Sequence, residues 1–175
     1  TPFNHPIGNW DVSSVTRMDG MFNSIKCFNQ DIGAWDVSNV TSMFGMFKAY
    51  YANPSGFNNG GSSSITGWDT SSVTNMEQMF NQNKFFNQPI GSWDVSSVTT
   101  MRVMFQHAIF NQPIGDWNTS SLTNISSMFE NADGFDQSLA GWDVSNITSA
   151  GYFMHNVTLS RSNYADTLDG WAPQN

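Results

Sequence analysis

Trp10-Asp11-Val12-Ser13-Ser14-Val15-Thr16 is the stretch that decides the fold, because close copies of it recur along the chain. A fixed period of roughly 20 to 50 residues indicates stacked repeats, in which each unit buries its apolar face against its neighbours. The sequence therefore predicts one solenoid domain whose function resides in columns of equivalent residues. The copies begin at Trp35, Trp68, Trp93, Trp117 and Trp142, in steps of 25, 33, 25, 24 and 25 residues.

The period divides the chain into six repeats and a different C-terminal segment. In the sixth copy Ala150, Gly151 and Phe153 replace the Met-x-x-Met spacing, and such departures are typical of a terminal unit. The chain begins within a repeat and without methionine, so we expect a processed form or a fragment. We place the repeats at residues 1–25, 26–54, 55–83, 84–107, 108–132 and 133–156, with a cap at residues 157–175.

Two apolar periods occur within one unit. Ile7, Trp10 and Val12 follow the L-x-x-L-x-L spacing of leucine-rich repeats, which predicts a short parallel strand around residues 10–12. The apolar positions that follow are three or four residues apart and predict a short α- or 3₁₀-helix. We therefore expect an α/β, leucine-rich-repeat-like right-handed solenoid, with parallel strands on one face and helices on the other. The helical positions of the first unit are Val15, Met18, Met21 and Phe22.

A column of asparagines precedes each tryptophan segment. Stacked side-chain amides can hydrogen-bond the backbone of an adjacent coil. We therefore predict a structural asparagine ladder rather than a ligand site. Its members are Asn4, Asn29, Asn58, Asn87 and Asn111, with Asp136 in the last copy.

The 33-residue step contains eight extra residues, which lie within residues 50–66. Insertions in solenoids are usually surface loops, so we expect a protruding loop with Tyr50 and Tyr51 at its base. A tolerated insertion and a contact loop are the two interpretations of this segment. The single Cys27 rules out an internal disulfide and is expected to be a buried or half-buried free thiol.

The composition excludes several classes of partner. Fourteen acidic and six basic residues give a net charge of −8, which repels phosphate backbones and anionic lipid surfaces. Nucleic acid is therefore not expected as a partner. No apolar run reaches the roughly 18 residues of a membrane span, so we expect no membrane insertion of this segment.

Residues 86–105 read Phe-Asn-Gln-Pro-Ile-Gly-Ser-Trp-Asp-Val-Ser-Ser-Val-Thr-Thr-Met-Arg-Val-Met-Phe. This unit resembles the repeat of the BspA-type leucine-rich-repeat surface proteins, and the resemblance extends from Phe3 to about Phe153. The segment from Leu159 to Trp171 also resembles the carboxy-terminal ending of that family. The resemblance implies a secreted or cell-surface binding role without catalytic residues.

The best chemical feature of the repeat is an acidic column next to the tryptophans. Alternation along an extended segment directs this side chain outward, between the inward tryptophan and valine. Each carboxylate can accept hydrogen bonds from the serine turn that follows. Alternatively, the face attracts Ca²⁺ or a cationic partner, although carboxylates in a line do not form a closed cage. The column comprises Asp11, Asp36, Asp69, Asp94, Asn118 and Asp143, and we expect Ser38, Ser71 and Ser96 to flank its centre.

The three histidines occupy unrelated repeat positions, and the sequence lacks catalytic motifs such as G-x-S-x-G or H-E-x-x-H. We therefore expect a non-enzymatic module without cofactor that recognises a protein or glycan on another cell or in the matrix. The alternative is a structural subunit of a surface layer or filament that self-associates end to end through exposed terminal coils.

Overall fold

The structure is a computed structural model that describes residues 3–50 and 56–174. These residues form a stack of coils with one α-helix, α1 (Arg161–Trp171), after the last coil. Four short 3₁₀-helices complete the regular elements. They are Asn59–Gly61, Ser63–Gly67, Ile90–Ser92 and Ala172–Gln174.

The coils are joined by hydrogen bonds between peptide groups. The Met18 N–H donates to the Ser42 carbonyl at 2.9 Å, and the Met43 N–H donates to Asn75 in the next coil at 2.9 Å. Because the Ser42 carbonyl and the Met43 N–H belong to one peptide group, these bonds form a continuous chain through all six coils. Three parallel chains start from the N–H groups of Gly20, Phe22 and Ser24. We call the four chains of five bonds the peptide ladder; its bonds measure 2.7–3.1 Å.

The helix expected over residues 15–22 is wrong, because this segment forms the peptide ladder. Every second N–H of the segment donates to the next coil. N–H groups that lie between them form tight turns within the coil; the Met21 N–H, for example, donates to the Met18 carbonyl at 3.3 Å. Gly20 and Ser24 have φ of 59°, which interrupts an α-helix. Successive turns place apolar residues three apart, so their pattern imitates that of a helix.

The parallel strands expected at residues 10–12 are also wrong, and the described residues contain no β-strand and no sheet. Parallel pairing is confined to single residues one column beyond the threonines. The paired residues are Arg17, Ser42, Asn75, Thr100, Asn124 and Ser149. The α/β leucine-rich-repeat-like class is therefore incorrect for this chain.

Side chains rather than a sheet hold the tryptophan segments. The indole Nε1 of Trp35 donates to the Ile7 carbonyl at 3.0 Å, and the next four tryptophans repeat this bond at 2.9–3.2 Å. The predicted alternation of inward tryptophan and outward aspartate is confirmed in the middle coils, where Trp93 is buried and Asp94 is exposed. Trp10 of the first coil is the exception and is 52% exposed.

Paired phenylalanine rings fill the core. Phe47 stacks on Phe57 with centroids 3.8 Å apart, and Phe80 stacks on Phe86 at 3.8 Å. The pairs also contact the next coil, since Phe47 and Phe80 lie 5.6 Å apart and nearly parallel. The result is a continuous aromatic column through the stack, which supplies much of the apolar burial.

The insertion differs from the predicted protruding loop. Its second half folds against coil two through Asn59, which is fully buried and accepts the Ile32 N–H at 2.9 Å. The Asn59 amide donates to the Ser62 carbonyl at 2.9 Å and to Ser64 Oγ at 3.0 Å. Cys27 is exposed rather than buried.

The left-handed positions of the peptide ladder make a first prediction. Gly45 has φ of 57°, and a Cβ there would meet its nearest neighbour, Lys48 Cβ, only at 4.0 Å. Gly45→Ala should therefore cost about 1 to 2 kcal/mol through backbone strain alone. Gly151→Ala is the control, because no atom lies within 4 Å and φ is not left-handed. Urea melts should show the loss for Gly45→Ala only; equal midpoints would contradict the strain argument.

The inward and outward assignment gives a second prediction. Trp93→Ala removes a buried ring and its 3.0 Å bond to the Ile65 carbonyl, which should cost about 3 to 5 kcal/mol. Asp94→Asn should cost about 1 kcal/mol or less, because Asn118 makes the same turn in coil five. Equal losses in urea melts of the two variants would contradict the assignment.

Candidate binding face

Six acidic or amide side chains form one surface row, one residue from each coil. They occupy equivalent positions between a tryptophan and the next inward side chain, so stacking places them in line. Five are exposed, and Asp143 in the last coil is half-buried. We call the row Asp11, Asp36, Asp69, Asp94, Asn118 and Asp143 the acidic row.

Each member of the acidic row closes a local turn with a serine two residues later. Asp36 Oδ1 accepts the Ser38 N–H at 3.1 Å and the Ser38 hydroxyl at 2.6 Å. Asp69 and Ser71 make the same pair of bonds. Asn118 does so with Ser120, at 3.2 Å and 2.8 Å. The prediction that the serine turn satisfies this column is confirmed.

The turns determine the electrostatics of the acidic row. The serine hydroxyl and N–H bonds hold the pKa of Asp11, Asp36, Asp69, Asp94 and Asp143 below the ordinary value of about 3.9. Repulsion from Asp69 and Asp11 raises the pKa of Asp36, but by less than the Ser38 bonds lower it. The row therefore stays ionised at physiological pH despite its like charges.

The second oxygen of each carboxylate in the acidic row accepts no hydrogen bond from residues 3–50 or 56–174. Among the described residues no group of three or more His, Cys, Asp or Glu side chains could hold a metal ion. The structure thus brings the row together as separate Asp–Ser or Asn–Ser units, and the second oxygen of each aspartate is left without a hydrogen bond from the described residues.

The column of threonines that the repeats predict forms a row of exposed side chains five residues after the acidic row. The Thr74 hydroxyl donates to the Thr41 carbonyl at 3.1 Å, and the Thr99 hydroxyl to the Thr74 carbonyl at 3.1 Å. Each hydroxyl is thereby fixed in one orientation. The row comprises Thr16, Thr41, Thr74, Thr99, Thr123 and Thr148.

The asparagine ladder is confirmed as a structural feature. The Asn58 N–H donates to Asn29 Oδ1 at 2.7 Å, and the Asn87 N–H donates to Asn58 Oδ1 at 3.1 Å. The Gln88 amide adds a second donor to Asn58 Oδ1 at 3.0 Å. These oxygens are thus engaged by the next coil.

Tyr50, at the start of the insertion, is separate from the acidic row. Tyr50 is 59% exposed, and Lys48 Nζ lies 5.9 Å from its ring centroid. Tyr51 lies outside the described residues. Nothing in the structure joins Tyr50 to the carboxylates.

Three comparisons with known proteins complete these observations. The model of a family described as "Mycoplasma protein of unknown function, DUF285" matches residues 1–59 and 55–167. No curated protein and no solved structure matched the chain. In the described part of the chain, no helix has the length and apolar character needed to cross a membrane.

The lowered pKa values predict how stability depends on pH. The carboxylates have a lower pKa when folded than when unfolded, so their stabilisation is complete above about pH 5 and is lost as pH falls through the folded pKa. The triple variant Asp36→Asn, Asp69→Asn, Asp94→Asn keeps an acceptor for each serine and does not titrate. Its urea midpoint should fall less between pH 6 and pH 2.5 than that of the wild type.

The matched control replaces three exposed aspartates that make no serine turn, Asp116, Asp133 and Asp166, by asparagine. This control triple should retain the wild-type slope of urea midpoint against pH. If both triples flatten the slope equally, total charge and not the serine turns determines the acid sensitivity.

Proposed function

The chain belongs to the DUF285 family, whose function is unknown, and from its binding face we propose a non-enzymatic recognition module of the cell surface or extracellular space. The acidic row carries this proposal. It is a uniform, exposed array held in one geometry, and it is suited to binding a protein or glycan on another cell or in the matrix.

The carboxylates of the acidic row form no ion pair with any of the described residues. The ion pairs of the described residues join Arg17 to Asp19, Arg102 to Glu77 and His155 to Glu130, and none involves the row. Five carboxylates in a line therefore create a negative field that attracts cations and accelerates association. This favours a protein partner that presents Lys or Arg side chains, and it disfavours nucleic acid.

The row is organised before any partner binds. Each carboxylate of the middle coils is fixed by its serine turn, and each neighbouring threonine hydroxyl by a backbone carbonyl. Binding of a partner therefore orders few additional side chains, and less of the binding free energy is lost as conformational entropy. The free carboxylate oxygens offer acceptors to ammonium and guanidinium groups or to sugar hydroxyls.

A non-enzymatic role agrees with the chemistry of this face. A catalytic site requires different groups placed around one point, whereas the acidic row repeats one Asp–Ser unit. The absence of histidine and cysteine from the row supports binding rather than catalysis. An extracellular location is supported by the resemblance of residues 3–153 to the BspA-type surface repeats.

The proposal is tested on arrays of matrix proteins, cell-surface proteins and glycans. We expect saturable binding that weakens as salt rises. For the partner found, the triple variant Asp36→Asn, Asp69→Asn, Asp94→Asn should raise Kd at least tenfold, mainly through a slower association rate. The control triple Asp116→Asn, Asp133→Asn, Asp166→Asn makes the same change in total charge and should retain affinity.

Saturable binding that both triples weaken equally would attribute recognition to net charge rather than to the acidic row. Absence of saturable binding to every array member would contradict a recognition role for this face.

A further inference from the structure

The peptide ladder has a direction. All twenty of its bonds, five in each of four chains, donate from an N–H to a carbonyl of the next coil. The peptide dipoles in each chain therefore add head to tail, as they do along an α-helix. The first described coil forms the carbonyl end of the stack, and the last coil forms the N–H end.

The two ends of the peptide ladder are complementary. At the last coil four N–H groups meet no acceptor among the described residues. At the first coil four carbonyls meet no donor within the same residues. Both sets occur at every second residue, as they do at the five coil junctions inside the stack. The donors are Ala150, Tyr152, Met154 and Asn156, and the acceptors are Arg17, Asp19, Met21 and Asn23.

Apolar side chains accompany these unpaired groups. Ile147 and Phe153 are half-buried at the last coil, whereas the equivalent Val98 and Met104 of coil four are fully buried. Val15 and Met21 are likewise half-buried at the first coil. Each end thus exposes part of an apolar surface that the adjacent coil covers inside the stack.

Helix α1 covers the other half of the last coil. Trp171 Nε1 donates to the Leu139 carbonyl at 2.9 Å, the same kind of bond that Trp142 makes to Ile114. Thr167 Oγ1 accepts the Leu139 N–H at 3.0 Å. Asn163 Nδ2 donates to the Asp136 carbonyl at 2.8 Å, as the Gln88 amide does to the Asn58 carbonyl at 3.1 Å. Helix α1 therefore takes the place of half of a seventh coil.

We propose that the last coil is a docking surface for the first coil of a second copy of this chain, and that α1 controls access to it. Over residues 150–156 the four free N–H groups require a partner edge that offers acceptors at the matching spacing. The threonine column beside them is bonded in the opposite direction, since the Thr148 N–H donates to the Thr123 carbonyl of the previous coil at 2.9 Å. An ordinary strand edge offers donors and acceptors together, whereas the first coil of this chain offers four carbonyls at the matching spacing. Two last coils cannot pair with each other, because donors would face donors.

Helix α1 makes this docking conditional. It lies where residues 4–10 of the incoming coil would pack, so a complete coil docks only when α1 moves aside. The association is head to tail, and such contacts extend into open filaments when they do not close into a ring. This inference concerns the end of the stack and is independent of the function proposed for the acidic row.

The test compares variants of this 175-residue chain by sedimentation velocity over a concentration series. Thr167→Ala with Trp171→Ala removes two contacts of α1 and should convert a monomer into reversible end-to-end oligomers, with at least a tenfold stronger self-association constant. Adding Ala150→Pro removes one of the four N–H donors and should weaken self-association at least tenfold. The preceding residue, Ser149, already pairs in parallel with Asn124, a conformation that a following proline favours.

The matched control adds Gly151→Pro instead. Gly151 follows Ala150 and precedes the other three donors. It is the second residue of the turn closed by the Phe153 N–H, where proline is tolerated. All four donors remain, so oligomers should persist. If Ala150→Pro leaves the self-association of the double variant unchanged, the contact is unspecific and occurs through uncovered apolar surface, which would overturn the proposal. A double variant Thr167→Ala, Trp171→Ala that stays monomeric would also overturn it.

Amide exchange in the wild-type chain keeps the proposal testable if the double variant does not fold. The amides of Ala150, Tyr152, Met154 and Asn156 should exchange at least threefold more slowly at millimolar than at micromolar concentration. The His155 amide, which is bonded within its own turn, should not change. Unlabelled Ala150→Pro protein retains its first coil and should protect the amides of labelled wild type. Exchange independent of concentration would overturn the proposal.

Discussion

The peptide ladder is the interaction on which the rest of the structure depends. Its four chains of hydrogen bonds join every coil to the next, and they satisfy the backbone of a segment that has neither helix nor sheet. Buried backbone groups without partners are costly, so a coil of this kind is stable only next to another coil. The aromatic column and the tryptophan bonds then fill the space that this spacing defines.

The ladder also imposes backbone conformations that the sequence does not favour. One column of left-handed positions contains Gly20 and Gly45, but also Gln78, Val103 and Tyr152. Val103 has φ of 63°, an outlier for a β-branched residue that costs about 1 to 2 kcal/mol. The coil-to-coil bonds of its neighbours outweigh that strain. Tertiary contacts thus determine the local conformation here.

Both proposals rest on the same stacking, in two places. Along the side of the stack, equivalent residues become continuous rows, so that five carboxylates share one face while each remains tied to its own serine. At the ends, the single direction of the ladder leaves donors at one pole and acceptors at the other. An antiparallel sheet would have neither property, because its donors and acceptors alternate along each edge.

The sequence by itself determined the repeats, the inward tryptophans and outward aspartates, the serine turns and the asparagine ladder. Each of these depends on residues close in the chain or on the period, and both can be read from one copy and its repetition. The acidic row could be predicted for the same reason, since equivalent residues of stacked repeats must align.

Only the tertiary structure decided how the backbone pairs. Apolar residues three apart suit successive turns as well as a helix, and Trp-Asp-Val suits an isolated extended segment as well as a strand. The choice between them depends on hydrogen bonds to residues 23 to 33 positions away, which a local pattern does not contain. The packing of Asn59 beneath the insertion, the carbonyl partners of the threonine hydroxyls and the cover provided by α1 arise from the same long-range contacts.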